Sequence, residues 1–476
     1  MVSMRKLWTV VDIVARVDVL TPQDATRFWL ARRGCNDLFL LYCFDDTGCP
    51  SGDLRAAALA RSAEIPDLRV RVREYRFAYP AWEPCGFDEA QVVVHHLGEP
   101  LWTNVEAALG ELLGEGVPAD RYAWRLHLFR GIRDAPGGTG PGLVVVLQLS
   151  HALADGKRAA AIARELLGGP AEGDVGPSDR AAVPGVAHGM ESCAAEAISL
   201  FSVPLGLVRT VRRGLAAARA DGELSRLATA GEIPGAAGDF APTLLNRPPA
   251  PRRRAVRMIV DANLRAPGYT VTVVASTAIS VAMSRYLAAR GEPIDALGAQ
   301  VSMALPSRSS DALRSGKRMS RNNYRDLGID LAVAEPDLRL RADRIAATLA
   351  ERRIRATHPL QSVRDRVTDA LPAPILRRDI ANFPLDLVPG RISGNTVLSS
   401  VDRGPADLSI AGGRVRFTAG FPALGAVMHL THGLHGLGDT VTLSIHSDPQ
   451  AMPDVDEYAG LLRAAVREVV DALAES

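Results

Sequence analysis

Lysine is all but missing from this chain. Lys6, Lys157 and Lys317 are the only three among 55 basic residues, which leaves 52 arginines. With its abundant alanine and 42 glycines, that bias reads as the coding preference of a GC-rich genome and carries no functional weight. Net charge is lacking too: 54 acidic residues bring the balance to +1, which gives no electrostatic case for nucleic acid. The five cysteines (Cys35, Cys43, Cys49, Cys85 and Cys193) are odd in number and contain no C-x-x-C spacing, so neither a zinc knuckle nor a redox pair is expected. No uncharged apolar run of about eighteen residues stands in the sequence, so no transmembrane helix is expected. Residues 1–12 lack the apolar core and cleavage site of a signal peptide. A reduced, cytoplasmic setting follows as the expectation.

What remains is the composition of a folded soluble protein, 47% hydrophobic and 23% charged. At 476 residues the chain is too long for one comfortable core, and two or three domains are expected. Residues 1–183 alternate strand-like segments (38–44, 143–149) with helix-like ones (51–63, 105–113), the pattern of an α/β lobe. A Gly/Pro-rich stretch at 168–185 reads as a linker. Residues 184–249 form a bridging segment: 194–208 are apolar and interrupted by Pro204, and Arg209, Arg212, Arg213 and Arg219 follow. It reads as helices joining two lobes, or as a face laid on anionic lipid. Residues 250–476 form a second α/β lobe, with strands at 255–260, 298–305, 414–418 and 439–446 and helices at 272–286, 337–355 and 458–473.

The most informative segment is Ser150-His151-Ala152-Leu153-Ala154-Asp155-Gly156, an H-x-x-x-D-G motif. The unbroken apolar run 143–149 before it, rich in β-branched residues, predicts a buried strand. After it, Ala159, Ile162, Ala163 and Leu166 recur at helical spacing, and Asp155 stands where an N-cap would. A strand-to-helix turn holds an imidazole rigidly at the end of a sheet, where a general base is useful. The competing reading of His151 is a hydrogen-bonded structural histidine.

Several collinear fragments surround this motif: Leu20-Thr21-Pro22-Gln23-Asp24-Ala25, Trp124-Arg125-Leu126-His127-Leu128, Thr243-Leu244-Leu245-Asn246 with Arg252-Arg253, Leu305-Pro306-Ser307-Arg308, Asn323, Asp337-Leu338-Arg339-Leu340, Ile410-Ala411-Gly412-Gly413-Arg414-Val415 and Pro453-Asp454. In that order they resemble the bacterial wax ester synthase/diacylglycerol acyltransferase family, within the superfamily of chloramphenicol-acetyltransferase-like enzymes and condensation domains. The resemblance implies an α/β fold of two chloramphenicol-acetyltransferase-like lobes with a substrate tunnel at their interface. It further implies transfer of an acyl group from acyl-CoA, a co-substrate rather than a cofactor, to an alcohol such as a diacylglycerol or long-chain alcohol. His151 would be the general base, and the absence of a G-x-S-x-G elbow agrees with a route lacking an acyl-enzyme. By the same resemblance Asp155 turns from the cleft to pair with an arginine, for which Arg308 is the candidate, and Gly156 allows close backbone approach at the tunnel wall. Ser150, Trp124 and Asn323 are the candidates for substrate contact.

The chain also departs from the family pattern. Ser150 replaces the first of two motif histidines, Thr272-Val273 replaces an Asn-Asp pair, and the N-V-P-G-P loop survives only as Ser400-Val401-Asp402-Arg403-Gly404-Pro405. These changes keep two alternatives open: a specialised O- or N-acyltransferase resembling a condensation enzyme, and a non-catalytic binder of lipid or carrier protein. His429, His432, His435 and His446 could suggest a metal, but Gly433, Gly436 and Gly438 break any helix aligning them, so no metal site is expected and a glycine-rich loop lining the acceptor side is. Pro251-Arg252-Arg253-Arg254 could meet the phosphates of coenzyme A or be a solvated charge run. The expected partners are therefore acyl-CoA and an alcohol acceptor, without nucleic acid. Contact with the inner membrane surface or a lipid droplet is expected only if the bridging segment meets lipid.

Overall fold

The computed structural model describes residues 18–168, 188–248, 253–260, 262–305 and 320–474. The first half comprises β1 (Asp18–Val19), α1 (Pro22–Ala31), β2 (Leu38–Asp45), α2 (Ser51–Glu64), β3 (Val70–Arg73), β4 (Ala81–Pro84), β5 (Val92–His95), α3 (Trp102–Leu112), β6 (Trp124–Ile132), β7 (Gly142–Leu149) and α4 (Gly156–Leu167). After α5 (His188–Thr229) come β8 (Ala255–Ile259), α6 (Val271–Ala288), β9 (Gly298–Ala304), β10 (Tyr324–Asp330), α7 (Leu338–Thr357), α8 (Pro359–Thr368), α9 (Ala373–Asn382), β11 (Thr396–Asp402), β12 (Ser409–Ile410), β13 (Gly413–Gly420), β14 (Leu430–Leu437), β15 (Thr440–Ser447) and α10 (Val455–Ala474).

Local chemistry explains the principal elements. Thr21 caps α1 by accepting from the Asp24 N–H, with Pro22 pre-set for the first turn. All eight residues of β7 are buried, as its continuous apolar run requires of a strand covered on both faces. Asp337 caps α7 through the Leu340 N–H. Helix α6 is long and apolar enough, by length and composition, to cross a membrane. Its residues Val274, Ala275, Ala278, Ala282 and Met283 are nevertheless fully buried in the core of the second lobe, against α7 and α10.

Two six-stranded sheets carry the two lobes. The second has the order β10-β9-β11-β14-β15-β8, with β11 parallel to both neighbours and every other pair antiparallel. The first runs β12-β13-β2-β7-β6-β5. Its last two members in chain order, β12 and β13, come from residues 250–476, read in the sequence as the second lobe: β13 pairs antiparallel with β2, from Val415 opposite Phe44 to Gly420 opposite Leu40. The physical reason is an open edge on β2 that another strand must satisfy. Helix α9 crosses as well, placing Ala373, Leu376 and Ile380 in the core beneath α1. Pro204, expected to interrupt the bridging segment, lies inside an uninterrupted 42-residue α5. That helix packs along α8, and Thr210 Oγ1 donates to the Ala370 carbonyl at 2.9 Å.

Candidate functional site

The H-x-x-x-D-G motif occupies the turn between β7 and α4. Ala152, Leu153 and Ala154 are fully buried, which roots the turn in the core of the first lobe and leaves His151 as its half-buried outer residue. Asp155 caps α4: its Oδ1 accepts from the Arg158 N–H at 2.9 Å. Its other oxygen accepts from the Asn323 N–H at 2.9 Å, and its own N–H donates to the Arg321 carbonyl at 3.1 Å. Asp155 therefore clasps the backbone leading into β10. Arg308, its expected partner, lies outside the described residues; the partners that the structure gives Asp155 are backbone N–H groups.

Residues 320–323 form a clamp between the lobes. Asn322 Nδ2 donates to the backbone carbonyl of His151 at 2.8 Å and to Asp24 Oδ1 at 2.9 Å. Buried Asp24 also accepts from Ser320 Oγ at 2.9 Å, Thr21 Oγ1 at 2.8 Å and the Arg321 N–H at 3.1 Å. Arg321 and Arg158 both grip Asp67, at 2.7 and 2.6 Å. Burial alone would raise the Asp67 carboxyl, but the hydrogen bonds and charges of these two arginines hold it below the usual carboxylate range.

Tyr324, the first residue of β10, faces His151. The two rings stack at 5.9 Å with a 20° tilt, and the Tyr324 hydroxyl stands 3.4 Å from His151 Nε2. On its far side that hydroxyl accepts from Arg27, whose guanidinium also lies over the Tyr324 ring. With its oxygen engaged by Arg27, the phenol keeps its own proton free to donate on the His151 side. Burial, reinforced by the Arg27 charge, pulls His151 down to about 4, so the ring is uncharged at neutral pH. Its Nδ1 is buried and makes no hydrogen bond. Burial pushes Tyr324 up to about 12, against the charge of Arg27, so it remains a donor. A neutral imidazole with a polarised hydroxyl beside it can accept a proton from one group while the phenol stabilises a developing negative charge nearby.

Other sequence candidates fall elsewhere. Trp124 is a core residue: it is fully buried, and its Nε1 donates to the Leu68 carbonyl at 2.8 Å. Ser150 is buried with its N–H on the Ala123 carbonyl. Asn323 is a joint rather than a free cleft residue, its Nδ2 donating to the Leu305 carbonyl at 3.1 Å. Gly156 does mark a close approach, since a β-carbon there would lie 3.1 Å from Val401 Cγ2 of β11. The histidines correct the expectation of a glycine-rich loop: His432 and His435 belong to β14, and His429 immediately precedes it. Strand alternation turns His432 to the face opposite His429 and His435. There it bonds Thr396 Oγ1 at 3.0 Å and the Tyr458 hydroxyl at 2.8 Å. Among the described residues no group of three His, Cys, Asp or Glu is placed to hold a metal. Pro251 and Arg252 lie outside the described residues, and Arg253 is exposed.

Sequence reasoning passed over Tyr324, Arg27 and Asn322. Asp24 and its cap Thr21 were visible as a T-P-x-D string, but its interlobe role was not. The polar run Arg321-Asn322-Asn323-Tyr324 was the available signal, and only the pairing of distant segments gives it meaning.

No family model matches the sequence, and no curated protein matches it. Solved structures do. The wax ester synthase/diacylglycerol acyltransferase from Marinobacter aquaeolei VT8 superposes with a TM-score of 0.61 at 16% identity, covering 96% of this chain and 99% of that one. A variant of the starter condensation domain of rhizomide synthetase, in complex with C8-CoA, gives 0.56 at 13% identity over 98% and 97%. Trichothecene 15-O-acetyltransferase from Fusarium sporotrichioides gives 0.54 at 13% identity over 96% and 94%. The described residues of this chain share the two-lobed α/β fold of these proteins.

Proposed function

We propose that this protein is an acyltransferase that moves an acyl group from a thioester, acyl-CoA, to the hydroxyl of an alcohol such as a diacylglycerol or long-chain alcohol. The observation that carries the reading is His151: an uncharged imidazole at the junction of the lobes, fixed through its backbone carbonyl by Asn322 and faced by the Tyr324 hydroxyl. The shared fold with three acyl-transferring proteins supports the same class.

The reaction needs a base because an alcohol is a poor nucleophile with its proton in place. His151 takes that proton as the alcohol oxygen attacks the thioester carbonyl, the new C–O bond forms, and the negative charge gathers on the carbonyl oxygen. Tyr324, held by Arg27, is the donor nearest to that charge. Collapse breaks the C–S bond, and the imidazolium returns its proton to the departing thiolate. Coenzyme A is consumed as a co-substrate in this scheme, and no cofactor is required. A basic site drawn down to about 4 is available for this at every physiological pH.

The test is a panel of acyl-CoA chain lengths set against alcohols and amines, read by mass spectrometry and thiol release. Ester formation that depends on His151 supports the proposal. Amide formation alone would point to the condensation-like alternative. Binding of acyl-CoA without turnover on any acceptor, equal in wild type and His151→Ala, would sink catalysis and leave a carrier or lipid binder.

A further inference from the structure

Where the lobes meet away from the motif, β13 of the first sheet lies against β14 and β15 of the second. The contact is polar and buried. Thr431 Oγ1 donates to the Pro422 carbonyl at 2.7 Å, and Ser444 Oγ donates to the Gly420 carbonyl. At one end of this seam stands Arg403, directly after β11, with only 3% of its surface exposed. Its Nη1 donates to Thr418 Oγ1 at 2.8 Å, and its guanidinium carbon is 5.3 Å from the centroid of the Tyr42 ring.

The Tyr42 hydroxyl is its other polar neighbour, and among the described residues no carboxylate comes within ion-pair distance. Asp402 accepts from the Gly404 N–H at 2.9 Å, and Asp407 is paired with Arg164 at 2.6 Å. Three further polar atoms on the residues of this seam are buried without a hydrogen-bond partner: Arg403 Nε, His435 Nδ1 and Oγ1 of Thr442, the cross-strand partner of His435. Arg403 and His435 converge over Gly420, where a β-carbon would lie 2.6 Å from Arg403 Nη2 and 2.7 Å from His435 Nε2. Burial, then the Arg403 charge, keeps His435 well below its ordinary range and therefore neutral, and the cluster carries a single uncompensated positive charge.

A guanidinium does not give up its proton in a protein, and a buried charge without a counter-charge is strongly unfavourable. The Tyr42 ring offsets part of that through its π face. Water could satisfy the donors but not the charge. We propose that the Arg403–Tyr42–His435–Thr442 cluster binds a small monovalent anion in the interlobe seam. The Tyr42 and Thr442 hydroxyls and a ring N–H of His435 join Arg403 as donors. The site is independent of the acyl-transfer reading, although β11 links the two: Val401, two residues before Arg403, is the side chain that meets Gly156.

The experiment is a thermal-unfolding titration of the full-length protein at constant ionic strength, replacing sodium gluconate by chloride, bromide or formate. The expected result is a saturable rise in Tm with at least one of the small anions, and calorimetric binding at the same half-saturation. A response to halides identifies an inorganic ion, and a response to formate alone identifies a carboxylate-bearing ligand. Arg403→Met should abolish the saturable term. If that variant fails to fold, Tyr42→Phe and Thr442→Val keep the charge and should raise the half-saturating concentration several-fold. A wild-type Tm that stays flat through every replacement overturns the site, as does an Arg403→Met protein with wild-type half-saturation.

Discussion

The Tyr324 hydroxyl stands 3.4 Å from His151 Nε2 while accepting from Arg27 on its other side, so one phenol connects a fixed cation to the candidate base. In the proposed reaction an incoming alcohol takes the place beside Nε2, and the phenol turns its proton to the carbonyl oxygen. Tyr324→Phe is expected to lower kcat by about a hundred- to a thousand-fold, the range for one lost donor to a developing oxyanion. An undiminished rate would remove Tyr324 from the chemistry.

His151→Ala is expected to cost roughly two to four decades of turnover while leaving the melting temperature close to wild type. Asn322 holds the backbone carbonyl of His151, a contact that survives loss of the imidazole. Near-native rates in this variant would refute base catalysis at this position.

Because burial and Arg27 hold His151 at about 4, the acid limb of kcat/KM is expected near pH 4 rather than at the ordinary 6.5. Activity should be flat from there to neutrality. Arg27→Gln removes a positive neighbour, so the limb should move upward; a limb already near 6.5 in the wild type would contradict the burial argument.

Asp155→Ala should destabilise the protein by about 2–3 kcal/mol. It removes the cap on α4 and strands the buried-side N–H of Asn323. Asp155→Asn keeps one acceptor and should lose less. Loss of activity with an unchanged melting temperature would place Asp155 in direct chemistry instead.

Stability should fall as pH drops from about 7 to about 5. Burial holds His127, His432 and His446 near 3, His151 near 4 and His435 well below its ordinary range, so each stays neutral in the fold while the unfolded chain takes up a proton near 6.5. Asp37 and Glu106 work the other way: burial raises both to about 7, so between pH 4 and 7 the folded state holds protons that the unfolded state has released. Five histidines against two carboxylates leave a net difference of about three protons, worth roughly 4 kcal/mol per pH unit at its steepest. Urea midpoints between pH 7 and 5 measure it; a rising midpoint would reverse the sign.

Helix α5 presents Leu207, Val208, Val211 and Leu215 to solvent, with Val211 63% exposed, and Arg209 and Arg212 beside them. Binding to anionic vesicles at low salt, weakening as salt rises, is expected, with loss in a Val208→Asp/Val211→Asp variant. Co-sedimentation with vesicles decides it, and no binding at low salt would mean that the face has another role.

The parts legible in the sequence were those whose cause is local. The β-branched run 143–149 read as a buried strand, the spacing of Ala159, Ile162, Ala163 and Leu166 read as α4, and Asp155 announced its cap. Contacts between distant segments were not legible. Nothing near Asp155 in sequence says that its second oxygen will meet the Asn323 N–H, because a backbone donor has no residue signature. Trp124 shows the opposite error: a large aromatic in a recurring string looked like a substrate wall, but its indole fills the core and bonds Leu68.

The crossing of β13 onto β2 sets an order for biosynthesis. Until residue 420 has left the ribosome, β2 offers a bare row of backbone donors and acceptors along most of its length, and β7, already made, guards only the other side. The first lobe must therefore wait, incompletely sealed, while more than half of the remaining polypeptide is assembled, and it is in that interval that the nascent chain is most exposed to pairing with a neighbour.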